Sequence, residues 1–275
     1  MDAQQEVDPA SETTTFFGRE LRKFREAARL SQSQLGSLVS VTQGYIGHIE
    51  RGTRIPANAL LLSLDAALGA NGQLSRLWPL LSNTSGIPSP FVPWIMVEQG
   101  ALALSLWDPM IVPGLLQVEG YARQILRGEP GIAKSSLDER LAGRLARREL
   151  LTRKDAPMIW VVLDEGVLHR PLGGSAVMRE QLKYLLKVSD LPNVTIQVVP
   201  YAAQSTSGLL GSFRIAQNPG GSYTVYVESA GPPQVTEQVD LVSEITNRFN
   251  SIRASANPAH ISRQMIEAVA EGKTS

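Results

Sequence analysis

Ser31–Gly52 reads SQSQLGSLVSVTQGYIGHIERG, and its local signals decide how the N-terminal part of the chain folds. Ser31 followed by Gln34 is a capping box: the serine hydroxyl takes the Gln34 amide while the glutamine side chain reaches back. That starts a short helix over Gln32–Val39. Thr42 is an N-cap for a second helix running to Glu50, and Arg51-Gly52 stops it, the glycine supplying a left-handed residue. Two short helices with only Ser40-Val41 between them form the core of a helix-turn-helix. Such a motif lays its second helix, N-terminal residues first, into the major groove of duplex DNA.

Upstream, Phe17, Leu21, Phe24 and Ala28 recur as one face of a helix over Phe16–Leu30, with arginine and lysine opposite. Downstream, Pro56 opens a helix over Ala57–Leu68 that Gly69 closes, and a fifth helix is expected over Gln73–Leu81. Charge supports the same interpretation. The whole chain is neutral, but residues 16–82 carry eight bases against four acids, a local surplus suited to phosphate. The first fourteen residues are acidic and polar and are expected to be a disordered tail.

Five helices, the glutamine opening the second of them and the closing Ile-Glu-Arg-Gly together resemble the phage-repressor-like, or XRE, family of transcriptional regulators. The resemblance implies roles for particular residues. Gln32 would touch a phosphate and brace the reading helix. Gln43 would contact adenine through its amide, Gly44 would offer no side chain, and His48 would donate to a guanine acceptor or a phosphate. Thr42, Tyr45, Arg51 and Arg54 complete the DNA-binding set, with Arg54 near the backbone or minor groove. Tyr45 also belongs, with Leu35, Val39, Ile46 and Ile49, to the packing face. Arg25 and Glu50 fall where the family has a partly buried ion pair tying the first helix to the third. The chain departs from the family in two ways. Gly44 and Gly47 weaken the reading helix by on the order of 2 kcal/mol relative to alanines. Arg29 stands where the family often has glycine, and a left-handed conformation there costs about 1 kcal/mol.

Ser82–Pro93, SNTSGIPSPFVP, is rich in proline and serine and is expected to be a linker. Behind it, residues 94–275 have a mixed α/β pattern. Helices are expected at 94–101, 117–127, 137–153, 176–189, 238–254 and 258–271. Strands are expected at 103–107, 158–164, 194–200, 211–216 and 223–228, from β-branched and aromatic content. Ser136-Leu-Asp-Glu139 has the form of a capping box, and Asn257-Pro258 places an N-cap before a proline. The fold class is therefore a five-helix all-α head followed by a mixed α/β domain.

The segments VPGLLQVEGYARQIL, RLAGRLARRELL, WVVLDEGVLHRPLGG and PNVTIQVVP resemble the domain of unknown function that follows XRE heads in many actinobacterial regulators. The resemblance implies a transcription factor, often paired with a small partner protein encoded nearby, and supplies neither ligand nor catalytic residue. A candidate ligand pocket sits at the end of the 158–164 strand: Asp164, Glu165, His169 and Arg170, ahead of Gly173-Gly174. The alternative is that the carboxylates serve as caps and ion-pair partners. Arg140, Arg144, Arg147 and Arg148 line one side of the 137–153 helix, as a second DNA-backbone patch or a solvated face. The tryptophans at 78, 94, 107 and 160 suit a core or interface better than a base-stacking platform.

Other classes are disfavoured. No window approaches eighteen apolar residues, and the N-terminus lacks the basic and apolar regions of a secretion signal. Cysteine is absent, which removes disulfides, thiolate metal sites and cysteine nucleophiles. The expectation is a cytoplasmic, non-enzymatic regulator without cofactor or metal that binds double-stranded DNA as a homodimer. The alternative is an antitoxin-like or anti-regulator interaction module whose DNA binding is secondary.

Overall fold

The caps in the head act where the sequence puts them. In a computed structural model that describes residues 9–77, 91–229 and 233–273, the Ser31 hydroxyl accepts the Gln34 amide at 3.2 Å and Gln34 Oε1 accepts the Ser31 amide at 2.8 Å. The head is built from α1 (Pro9–Ala27), α2 (Gln32–Leu38), α3 (Gln43–Glu50) and α4 (Asn58–Leu68). Thr42 caps α3 through Tyr45, and Gly52 follows its end with φ of 72°. A Cβ on Gly52 would lie 2.5 Å from the Thr15 backbone, so α1 packs against this turn only because the residue is glycine. Gly69 closes α4 in the left-handed conformation. Arg29 and Ser40, with φ of 58° and 57°, make the corresponding turns without glycine.

Three expectations for the head change. α1 starts at Pro9 rather than Phe16, so part of the expected acidic tail is helical; proline's fixed φ suits a first helical position. Residues 1–8 lie outside the described residues. The buried stripe of α1 runs Phe17, Leu21, Arg25, while Phe24 is only half-buried and Ala28 exposed, because Arg25 turns inward toward Glu50. Of the segment expected as a fifth helix, the described part is a turn followed by a 3-10 turn, Ser75–Leu77. The buried Asp65 carboxylate accepts the amides of Leu74 at 2.8 Å and Ser75 at 2.9 Å, holding the chain in that tight turn. The remainder of that segment and the expected linker up to residue 90 lie outside the described residues.

Contacts divide the chain into two compact units, Met1–Gln99 and Gly100–Ser275. After α5 (Val92–Gly100), the second unit forms a six-stranded sheet. In chain order its elements are β1 (Ala103–Asp108), α6 (Glu119–Arg127), α7 (Lys134–Ala146), β2 (Met158–Asp164), α8 (Glu165–His169) and α9 (Ser175–Val188). Then follow β3 (Val194–Val199), β4 (Phe213–Gln217), β5 (Tyr223–Val227), β6 (Gln234–Thr236), α10 (Val239–Ala254) and α11 (Ala259–Ala270). The strand order is β3-β2-β1-β4-β5-β6, the first three parallel and the rest antiparallel. β1 and β2 are buried along most of their length, as parallel strands covered on both faces require.

A core of Trp107, Val162, Phe213, Ile215, Val225, Ile245, Phe249 and Ile252 joins the sheet to α10, with Phe213 and Phe249 edge to face. A smaller cluster, Ala122, Leu126, Leu137 and Leu141, pins α6 to α7. Ile132 packs against that cluster, and α7 starts at Lys134, so Ser136 lies inside the helix instead of capping it. Asn257 stands one residue outside α11, its amide on the Val198 carbonyl, and Pro258 takes the cap position. β6 and α8 were not expected: β6 is three residues at the sheet edge, and α8 is a single turn capped by Asp164. No helix among the described residues is long and apolar enough to cross a membrane.

Candidate nucleic-acid interface

α3 is held on one side and open on the other. Ile46 and Ile49 are fully buried, Tyr45 is half-buried, and Gln43, Gly44, His48 and the following Arg51 are exposed. The exposed positions recur along one face of the helix, which is how a recognition helix offers side chains to a groove. A Cβ at Gly44 would meet only the Thr42 hydroxyl, at 4.0 Å, so this position is open space. At Gly47 a Cβ would come within 3.2 Å of Arg51 Nη1 and 3.5 Å of Gln32 Oε1, so the missing side chain makes room for both.

The helix is anchored through Glu50. Its side chain is 0% exposed and receives Arg25 Nε at 2.5 Å, Arg25 Nη2 at 3.0 Å, Gln32 Nε2 at 2.8 Å and Arg22 Nε at 3.2 Å. Burial alone pushes this carboxyl up; the hydrogen bonds from Arg25 and Gln32, with the Arg25 charge, outweigh it and hold the group below the usual carboxylate range. The same hydrogen bond raises the Arg25 guanidinium against the opposing effect of its burial. Arg25 Nη1 also donates to the Leu30 carbonyl at 2.9 Å, which secures the turn containing left-handed Arg29. Gln32 thus braces α3 through Glu50. Arg22 is a further donor that sequence reasoning missed, one helical turn before Arg25.

Arg54 lies over the Tyr45 ring, 4.2 Å from its centroid, so a ring on α3 sets the position of the exposed guanidinium after it. Arg19, Arg29, Arg51 and Arg54 are exposed. The surplus positive charge of the head therefore resides on its surface, while Arg25 is internal and neutralised.

In the second unit, Glu165 and His169 approach each other at the end of β2, and the carboxylates of Asp164 and Glu165 are engaged. Asp164 Oδ1 accepts the Gly166 amide at 2.8 Å and caps α8. Glu165 Oε2 accepts the Tyr201 amide at 2.6 Å, and its other oxygen lies 3.6 Å from His169 Nε2. His169 stacks on Tyr201, and Arg170 reaches the Met110 sulfur. A cavity of about 250 Å³ lies elsewhere, lined by Ser189, Asp190, Thr195, His260 and Arg263, with Arg263 and Asp190 paired at 3.0 Å. Among the described residues no cluster of His, Asp and Glu is placed to hold a metal ion.

The arginines following Leu137 are neither solvated as a group nor turned outward. Arg144 Nη1 donates to Gln117 Oε1 at 2.9 Å, Arg148 donates to the Gln117 carbonyl, and Arg147 is buried. Burial, with repulsion from Arg147 and Arg214, lowers the Arg144 guanidinium to about 10. Arg140 is half-buried and paired with Glu129. Both sequence expectations for this group fail because Gln117, itself fully buried, gathers two of the side chains. Close to the sheet, Asp108 ends β1 with Oδ2 lacking a hydrogen-bond partner among the described residues, and burial raises it to about 6. Trp94 and Trp107 are buried; Trp78 lies outside the described residues.

Comparison with known families finds two models that match the chain. The model of a helix-turn-helix domain matches residues 17–78, and that of a domain of unknown function, DUF5753, matches residues 93–268. No curated protein and no solved structure matches the chain. The head is thus a helix-turn-helix domain, which suggests DNA binding and transcription regulation.

Proposed function

Because the chain belongs to the DUF5753 family and opens with a helix-turn-helix domain, we propose that it is a sequence-specific transcriptional regulator of the XRE type, of the kind found in actinobacteria. The observation that carries this reading is the two-sidedness of α3. Gln43, Gly44 and His48 are exposed on a helix whose other side is locked to the head by Ile46, Ile49 and Glu50. Gln43 and His48 read bases in the major groove. Thr42, Arg51, Arg54 and the remaining Gln32 amide hydrogen hold the sugar-phosphate backbone. One head reads a half-site, so the protein acts as a homodimer, with Gly100–Ser275 supplying dimerisation and the sensing of a ligand or small partner protein.

Selection of bound duplexes from a random pool by the full chain tests this. The expected product is an imperfect palindrome with half-sites about 10 base pairs apart, or a multiple of that. Enrichment of no sequence would sink the reading.

One observation favours the second reading, an interaction module. Leu209 and Leu210 are 66% and 84% exposed, next to Gly208, whose carbonyl accepts Trp107 Nε1 at 3.0 Å. A fixed turn that presents two leucines to water suits a protein partner. If that reading holds, the selected duplexes stay weak and non-specific, and changing both leucines to serine leaves them unaffected.

A further inference from the structure

His48 is exposed on α3, and the chain returns to it after the left-handed turn at Gly52. The Thr53 amide donates to the His48 carbonyl at 3.0 Å. The Thr53 hydroxyl lies 3.0 Å from that carbonyl oxygen and 3.0 Å from His48 Nδ1. A hydroxyl has a single hydrogen. If it were given to Nδ1, the hydroxyl and carbonyl oxygens would face each other at 3.0 Å with lone pairs only. Donation to the carbonyl makes both contacts favourable, provided that Nδ1 carries a proton and donates to the hydroxyl. In a neutral imidazole the other nitrogen is then bare, because the bond made by one ring nitrogen fixes the state of the other.

We propose that Thr53 sets His48 as a hydrogen-bond acceptor at Nε2, and that His48 selects an exocyclic amino group of adenine or cytosine in the major groove. Adenine N6 and cytosine N4 are the amino donors displayed there, whereas guanine N7 and O6 are acceptors that a bare nitrogen repels. The family resemblance implied the opposite polarity for His48, as a donor to a guanine acceptor or a phosphate. The base contact rests on the proposed entry of α3 into the groove; the tautomer does not. Thr53 is a positioning residue, acting on DNA only through the ring.

Two measurements on the full chain separate these parts. Nitrogen-15 spectra of the histidines at a pH of about 8, above the ordinary histidine range, report which ring nitrogen is protonated. The chain has three histidines, and His48 is assigned by its disappearance in His48→Ala. Nδ1–H is expected in the wild type, with a shift toward Nε2–H in Thr53→Val; Nε2–H in the wild type overturns the proposal. The second measurement deletes single groups from the selected duplex. Removing one amino group, as purine for adenine or 2-pyrimidinone for cytosine, should weaken binding about three- to tenfold. That loss should vanish in His48→Ala and shrink in Thr53→Val. Coupling of His48 to a 7-deazaguanine substitution instead, or to no base at all, overturns the base assignment. If selection yields no preferred sequence, the proposed function fails while the tautomer result stands.

Discussion

Arg25 on α1 and Glu50 at the end of α3 meet through two parallel contacts, at 2.5 and 3.0 Å, with side chains 11% and 0% exposed. A buried carboxylate facing a guanidinium in this way is costly to break from one side only. Arg25→Ala or Glu50→Ala should each destabilise the head by about 3 kcal/mol, and the double variant should lose less than the sum. Additive losses in denaturant titrations would mean that the pair is not a unit. Because Glu50 is held below its ordinary 4.5, its contribution is present above that pH and lost as pH falls through the folded value. Glu50→Gln should remove this part of the acid sensitivity.

The two glycines of α3 are not equivalent. Gly44 faces open space, so Gly44→Ala should stabilise the free protein by up to about 1 kcal/mol. Gly47→Ala places a carbon 3.2 Å from the Arg51 guanidinium tip, which must shift, and part of the same gain is lost. Thermal unfolding ranks the two variants. A Gly44→Ala protein that is more stable yet binds its operator worse would show that the duplex backbone comes close at this position. Equal stability gains at both sites would contradict the packing seen around Gly47.

Gln43 and Arg54 differ in what they offer DNA, so their removal should differ in kind. Gln43→Ala should weaken the selected site by roughly 1–3 kcal/mol and relax the preference at one or two base pairs. Arg54→Ala should weaken all duplexes alike and reduce the salt slope. Tyr45→Leu should resemble Arg54→Ala, since the ring 4.2 Å away holds that guanidinium in place. Titrations at several salt concentrations, against selected and scrambled duplexes, distinguish the two patterns. A Gln43→Ala protein that loses affinity uniformly has no base-reading side chain at that position.

What the sequence made legible was local. The caps at Ser31 and Thr42 and the stops at Gly52 and Gly69 act over three or four residues, and each is in place. Not every local signal held, since Ser136 lies inside α7 and Pro258, not Asn257, caps α11; other expectations failed through partners more distant in sequence. Asp65 accepts the amides of Leu74 and Ser75, which makes a tight turn of a stretch up to Leu77 expected to be helical. Gln117 draws in arginines that helical periodicity alone had placed on a surface. The Arg25–Glu50 pair was legible only through family resemblance, because nothing local links those positions. Thr53 gave no signal, since its meeting with His48 depends on the left-handed turn at Gly52.

Asp108 should make the second unit respond to acid in the opposite sense from Glu50. Burial pushes its carboxyl from 3.8 up to about 6; Glu228 adds to the rise, while Arg214 and a hydrogen bond with Ser212 oppose it. Folding therefore favours the protonated form. The stabilisation is fully present below 3.8 and is lost as pH rises through about 6. A rise of roughly two units corresponds to about 3 kcal/mol of destabilisation at neutral pH relative to the protonated acid. Asp108→Asn resembles that acid in shape and charge. It should stabilise the second unit at pH near 7.5 by an amount of that order, and the gain should fade toward pH 4. Denaturant unfolding followed by tryptophan fluorescence suits the measurement, because the buried Trp107 adjoins Asp108 in β1. Wild type and Asp108→Asn curves that stay parallel from pH 4 to 8 would show that the carboxyl is not held above its ordinary range. With the predicted behaviour, acid weakens the head through Glu50 while it relieves the second unit through Asp108. The unfolding midpoint of the second unit should then rise relative to that of the head as pH drops from 6 toward 4, with the head's own loss setting in below 4.5.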